Sequence, residues 1–473
     1  MRKFTISILA TLLACVSMHA KVTLPEIIGD DMVLQQNTKV KLWGKANPGA
    51  KVSIEASWGE KVSTKAGKDG KWIVAIQTPA ASYEARSIVI SDGTPLVVNN
   101  ILIGEVWYAG GQSNMEMPLN GFWNCPIEGA NEEIATAGKR KGVRMVTIPK
   151  NGCLTVQDEV QGKWQVSTPE NARWFSATAW YFARMLNESL DVPVGIINCS
   201  WGGTRVEGWL PEEIVRTYPD IDYDTECQKK EQTWWHYSNV TMMYNGMYHP
   251  IKDYTVKGFI WYQGEANVGK HEDYPERFHT LVNIWRENQG FEAPVYWVEL
   301  APWLYGGDGT SGARFREMQQ NMRARIPNSG IVCTNDLVYP DEAEQIHPRN
   351  KKDVGRRLAY LALNHTYGCG AVEGYYPEYK SMTVNGDTIE LSFYNAEDGF
   401  TPWKGMQGFE IAGEDKVFHK AEAWLNNGSR TIFVRSSEVP APVAVRYCFK
   451  DFEVGNVISC RMLPLMPFRT DAW

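Results

Sequence analysis

Val106-Trp107-Tyr108-Ala109-Gly110-Gly111-Gln112-Ser113-Asn114-Met115 is a β-branched and aromatic run that stops at two glycines and a serine. Such a run reads as a buried strand ending at a tight loop. In open α/β sheets chemistry collects at the carboxyl ends of strands, so Ser113 stands where a nucleophile would be placed. A serine after a strand also serves as a helix cap, and residues 110–115 taken alone fit both roles equally. The stretch is not a Gly-x-Ser-x-Gly elbow, because Met115 takes the place of the second glycine. A nucleophilic Ser113 needs a base and oxyanion donors from other parts of the chain.

Outward from this run the chain alternates strands and helices. Apolar runs at 143–146, 194–198, 258–262, 295–300 and 330–334 read as strands. Helical patterns stand near 174–186, 274–285, 315–325 and 351–363. Pro275 suits a first helical turn and Pro327 follows a helix end. The alternation predicts a mostly parallel, doubly wound sheet with Ser113 after its first strand. Residues 209–245, rich in Tyr and Trp without clear period, read as an insertion over the strand ends. Before residue 100 the pattern is short strands (40–44, 51–54, 71–74, 87–90) separated by turns such as Asn47-Pro48-Gly49, which predicts an all-β unit. From about residue 368 strands return at 388–391, 421–424, 431–434 and 443–447, with Asn427-Gly428 and Asn385-Gly386 as turns. The expected division is therefore a leader over 1–20, a β unit over 21–100, a catalytic α/β unit over 101–367 and a second β unit over 368–473.

The 473 residues are enough for roughly three domains. A formal charge of −7 argues against nucleic acid as the main partner. The 19 Trp and 21 Tyr suit stacking on sugar faces, although filling β cores is their commoner use. Met1-Arg2-Lys3 and the apolar stretch 6–16 form an export leader. Ala20 ends it, but Met18 fits a cleavage site poorly. Leu12-Leu13-Ala14-Cys15 also resembles a lipobox, which would leave a lipidated Cys15 at the mature N terminus. The expected location is periplasmic or secreted, with or without that anchor. No later stretch is long and apolar enough to span a membrane. The other eight cysteines show no Cys-x-x-Cys spacing, which argues against a zinc site. Cys199 and Cys333 end apolar strands and read as buried thiols.

Two glycine-bearing loops after strands could stabilise an oxyanion. In Trp201-Gly202-Gly203-Thr204 the glycines let backbone N–H groups approach closely. In Gly264-Glu265-Ala266-Asn267 the Asn267 amide could donate. Either loop alone is also an ordinary turn. Among the histidines, His347 in Glu344-Gln345-Ile346-His347-Pro348 follows the last strand and precedes a helix, so it shares the strand-end rim. Glu344, three residues before it, could orient the ring. His249 is a competitor without a nearby acid.

Gly111-Gln112-Ser113-Asn114-Met115, Trp201-Gly202-Gly203-Thr204 with Glu207 and Trp209, Trp261-Tyr262-Gln263-Gly264-Glu265-Ala266-Asn267, and Ile346-His347-Pro348 together resemble the sialate O-acetylesterase family of SGNH hydrolases. Met32-Val33-Leu34-Gln35-Gln36 resembles its N-terminal β unit. Residues 409–415 and 467–471 resemble its C-terminal one. The resemblance implies an SGNH-hydrolase (flavodoxin-like) sheet flanked by all-β domains and a serine esterase that works through an acetyl-serine intermediate. It needs no metal or organic cofactor. It makes Ser113 the nucleophile and His347 the base, with the Ser113 N–H, Gly203 and Asn267 as the oxyanion hole. Gln112, Arg205, Gln263 and Glu265, in or beside the same motifs, are the expected substrate contacts. One departure is Gln345, where the family often has aspartate. Glu344 is then expected to orient His347, ahead of Asp341, with a Ser–His dyad as the third arrangement.

The implied substrate is O-acetylated sialic acid, with acetyl-xylan or another acetylated glycan as the alternative, because the motifs describe the acyl centre and not the alcohol. A glycosidase using Glu265 and Glu299 would leave Ser113 and His347 without a role. A non-catalytic sugar-binding protein would not need the nucleophile, donors and base together.

Overall fold

The computed structural model describes residues 22–228 and 239–473. The leader expected over 1–20 lies outside them, as does the 229–238 part of the expected insertion.

The run around Val106 is the second half of a 17-residue strand, Pro95–Gly111, which lies in the middle of the largest sheet. From edge to edge the order is Ser329–Val332, Val295–Val298, Gly258–Tyr262, Pro95–Gly111, Val194–Ser200, Val143–Thr147 and Gln165–Val166. All neighbours are parallel except the last pair. All five expected strands are present, with ends shifted by a residue or two.

Because side chains alternate across a strand, each central strand feeds two cores. On one face Val106, Tyr108, Phe259 and Trp261 pack with Phe278 and Trp285 of the helix Tyr274–Gln289 and Phe315 of the helix Ser311–Asn321. On the other, Trp107, Ala109, Ile260 and Tyr262 pack with Trp180 and Phe182 of Ala177–Leu190 and Leu358 of Lys351–Leu361. Helices thus cover both faces of an α/β sheet. The last two helices touch closely at Gly355, where a Cβ would stand 2.5 Å from the Thr178 carbonyl oxygen.

The strand order differs from the flavodoxin-like one. There the second strand would lie beside the first. Here Val143–Thr147 lies outside Val194–Ser200, and Val194–Ser200 takes the place next to Pro95–Gly111. The excursion after Gly111 carries two short helices, Ser113–Glu116 and Ala130–Thr136, and is long enough to skip one strand position.

An antiparallel branch extends this sheet, and smaller antiparallel sheets lie around it. Lys51–Ala56 pairs with Lys61–Lys65 and Ser82–Ser91, and Lys39–Lys45 pairs with Lys71–Gln77. Ser82–Ser91 also pairs with the first half of Pro95–Gly111, so the boundary expected at residue 100 falls inside one strand. After residue 377 come two four-stranded sheets around their own core of Ile389, Leu391, Ile411, Val434 and Val445. Two bidentate pairs, Arg469 with Glu317 and Arg323 with Glu378, fasten them to the Ser311–Asn321 side of the large sheet.

Register sets the position of the site. Gly111 stands level with Ser200 on one side and Tyr262 on the other. The loops carrying Ser113, Gly203 and Asn267 therefore leave the sheet together. No helix among the described residues is long and apolar enough to cross a membrane.

Candidate active site

Ser113 begins a four-residue helix directly after the central strand, with the Gln112 N–H donating to the Tyr262 carbonyl at 2.9 Å. Gln112 holds the cap position, and the Ser113 hydroxyl has no hydrogen-bond partner among the described residues. The caps Ser176 and Thr168, which accept from Ala179 and Asn171, show the contrast. Gly202 lies against it, since a Cβ there would come 3.1 Å from the Ser113 Cβ. The Gly202 N–H donates to Glu116 Oε2 at 2.6 Å, and Glu116 Oε1 pairs with Lys150 at 2.7 Å. Gly202 is thus the anchor of its loop and not a free donor. Gly203 follows at φ +78°, a conformation that glycine adopts without strain. Among the described residues neither the Ser113 N–H nor the Gly203 N–H has an acceptor.

Asn267 is buried, and its amide is held on both sides. Its Oδ1 accepts from the Val206 N–H at 3.0 Å and Gln263 Nε2 at 2.8 Å. Its Nδ2 lies 3.2 and 3.0 Å from the two oxygens of Glu207. Two oxygens of one carboxylate subtend too narrow an angle for both N–H bonds, so one hydrogen serves Glu207 and the other stays available. Glu207 is itself fixed by Arg277, which also reaches Asp220 at 2.5 Å. The Asn267 donor is preorganised in this way.

His347 lies on the loop between Ser329–Val332 and Lys351–Leu361. Its ring packs edge-on against Phe122, centroids 5.4 Å apart, and Nδ1 stands 3.7 Å from Cys125 Sγ. Burial, and then the charge of Lys351, push its pKa down from 6.5 to about 4. The ring is therefore neutral at ordinary pH, as a general base requires. No hydrogen bond joins it to Ser113, and a catalytic hydrogen bond of this kind often tightens only around the reacting substrate.

The expected acid is not at the ring. Glu344 is exposed, with no hydrogen bond or ion pair among the described residues, and Asp341 is turned to Arg349 at 2.9 and 3.0 Å. The loop folds with Gln345 inward instead. Gln345 Oε1 accepts from the His347 N–H at 3.2 Å and from Cys125 Sγ at 3.4 Å.

Three of the four expected substrate contacts are internal braces. Gln112 Oε1 accepts from Gln263 Nε2 and from the N–H groups of Gly264 and Ala266 at 3.2–3.3 Å. Gln263 also donates to the Thr204 carbonyl at 3.1 Å and accepts from the Tyr274 hydroxyl at 2.8 Å. Glu265 Oε1 accepts from Asn114 Nδ2 at 2.6 Å, and burial raises its pKa. Arg205 is half-buried, two residues past Gly203, and pairs with Glu226 at 3.3 Å. Glu299, the other carboxylate of a glycosidase pair, is buried with its oxygens on Gln320 and the Thr334 N–H.

Residues 104–364 match the family described as carbohydrate esterase, sialic acid-specific acetylesterase. The chain belongs to this family. The sialate O-acetylesterases of Homo sapiens and Pongo abelii are each 28% identical to it, over 78% of this chain and 76% of theirs. A carbohydrate acetylesterase from Xanthomonas citri is 33% identical and superposes with a TM-score of 0.83, covering 96% of this chain and all of that one. The chain is accordingly a carboxylic ester hydrolase of the acetylesterase type.

Several residues at this acetylesterase site had no sequence signal. Cys125 comes from the excursion after the first strand, and nothing in its local sequence ties it to His347. Glu116 and Lys351 look like solvent-facing charges, and Lys351 is only 1% exposed. Its one hint is position, four residues after His347 and one after the helix cap Asn350.

Proposed function

We propose that the chain is an exported serine esterase that removes O-acetyl groups from sialic acid. The carrying observation is the convergence of Ser113, the N–H groups of Ser113 and Gly203, which have no acceptor among the described residues, and the braced Asn267 amide at the carboxyl ends of three adjacent strands. Ser113 Oγ attacks the acetyl carbonyl carbon while His347 takes the hydroxyl proton. The carbonyl oxygen becomes an oxyanion held by the Ser113 N–H, the Gly203 N–H and Asn267 Nδ2. Collapse expels the sugar hydroxyl, protonated by His347, and leaves acetyl-Ser113. Water then attacks the acetyl carbon with its proton going to His347, and His347 returns that proton to Ser113 Oγ as acetate departs. The relatives named sialate O-acetylesterase support the choice of sugar. So does Arg205, because a guanidinium suits the carboxylate of a sialic acid.

The test is acetate release from O-acetylated sialic acid and from acetylated xylan, by the intact enzyme and by Ser113→Ala. Turnover of the sialic acid substrate that falls by several orders of magnitude in Ser113→Ala is expected. Activity retained in Ser113→Ala would remove the nucleophile assignment, and preference for xylan would remove the sugar.

A further inference from the structure

We propose that Lys351 is the positioning residue that sets the Ser113 loop against the His347 loop, through an aligned relay of Lys351, Asn114 and Glu265. The proposal rests on the reading of Ser113 and His347 as nucleophile and base.

The relay is built from short, buried contacts. Lys351 Nζ donates to Asn114 Oδ1 at 2.7 Å and to the Pro348 carbonyl at 2.8 Å. Asn114 Nδ2 donates to Glu265 Oε1 at 2.6 Å and to the Ile346 carbonyl at 3.0 Å. Asn114 is the residue after Ser113, and Ile346 and Pro348 are the residues on either side of His347. Both carbonyls that bracket the histidine are therefore held by one two-member unit, which also fixes the backbone next to the serine. The Asn114 carbonyl is fixed in turn by Thr178 Oγ1 at 3.1 Å. The amide lies with its oxygen toward the cation and its nitrogen toward the carboxylate, so both charges polarise it in the same sense.

Helix stability does not explain a lysine here. Lys351 opens the helix Lys351–Leu361, where a positive charge opposes the helix dipole. Its ammonium is also fully desolvated, which is costly unless the group is paired. The partners facing it are Glu265, Glu342, Cys125 and the ring of Tyr262, whose centroid lies 5.9 Å away. Glu265 gives one oxygen to Asn114, and its Oε2 has no partner among the described residues. Burial depresses the Lys351 pKa to about 7 against the opposing pull of Glu265. The groups facing His347 are Cys125, Phe122 and Lys351, and of these only Lys351 carries a positive charge that disfavours the imidazolium. One residue thus sets where the base stands and how readily it protonates.

The experiment follows the His347 imidazole titration by NMR in the intact enzyme, Lys351→Met and Lys351→Gln, alongside kcat and KM for an acetyl ester. Lys351→Met is expected to lower kcat by about 10²-fold with KM within about twofold, the cost of a small misplacement of reacting groups. The His347 midpoint should rise by about one unit in both variants as the cation is lost. Lys351→Gln keeps a donor for Asn114 and should recover part of kcat while retaining the raised midpoint. If Lys351→Met fails to fold, Lys351→Gln decides through the same titration. A loss of kcat with the His347 midpoint unmoved marks a merely structural lysine and overturns the proposal, as does wild-type kcat in both variants. An active Ser113→Ala would instead remove the assignment of the nucleophile, while the titration would still report whether Lys351 governs His347.

Discussion

Asn114 Nδ2 stands 3.0 Å from the backbone oxygen of Ile346, which ties the residue after the strand-end serine to the residue before the histidine across 232 positions of sequence. The bond closes a ring of loops. Gln112 Oε1 collects donors from the Asn267 loop, and the Gly202 N–H reaches Glu116 in the Ser113 helix. The strands place the loops, and amide side chains set the distances between them.

Asn267 is the most direct test of the oxyanion hole. Asn267→Ala is expected to lower kcat by about 10²–10³-fold with little change in KM, because the free N–H is used only when the carbonyl oxygen gains charge. Steady-state kinetics on an acetyl ester checks this. A change confined to KM would make Asn267 a substrate-positioning residue.

Arg205 should separate charged from neutral sugars. Arg205→Ala is expected to raise KM for O-acetylated sialic acid by about tenfold, equivalent to one hydrogen bond to a charged group, and to leave KM for p-nitrophenyl acetate unchanged. Equal effects on both substrates would mean that the guanidinium shapes the loop through Glu226 and does not read the sugar.

Glu344 is expected to matter little. Glu344→Gln should keep kcat within about twofold of wild type, whereas removing a carboxylate that truly orients the base costs about 10⁴ in a serine protease. A loss of that size in Glu344→Gln would show that the loop rearranges when substrate binds.

That residue marks where the sequence stops being legible. Continuous apolar runs around Val106, Ile196 and Ile260 mark strands buried on both faces, and the glycines that end the first run put Ser113 at the carboxyl end of the sheet. Pro275 at a first helical turn and Pro327 after a helix end are local signals of the same kind. Spacing alone points to Glu344 as the acid, and spacing does not say which side chain of a loop turns inward. Gln345 turns in because Cys125 and the His347 N–H offer it hydrogen bonds, and Cys125 comes from a stretch 220 residues away. Gln112, Gln263 and Glu265, expected as substrate contacts, are found bracing the loops for a related reason. Polar residues at a strand end look the same in sequence whether they face a ligand or another loop.

The environment of His347 makes a prediction about acid. Burial and the Lys351 charge hold its pKa at about 4, below the ordinary 6.5. A base acts in its neutral form, so the acid limb of kcat/KM should have its midpoint at about 4. At pH 5 an ordinary histidine would be about 3% neutral, and one of pKa about 4 would be about nine-tenths neutral. The same shift acts on stability with a definite sign. The unfolded chain takes up the proton first, so the folded state loses stability as pH falls from 6.5 toward 4, and the group has no effect above 6.5. Replacing the ring removes that term, so thermal unfolding of His347→Gln should show a shallower fall in Tm between pH 6.5 and 4 than the intact enzyme. A kcat/KM midpoint near 6.5 would mean that substrate-free His347 is open to water. An equal fall in Tm for both proteins would mean that other groups dominate the acid response.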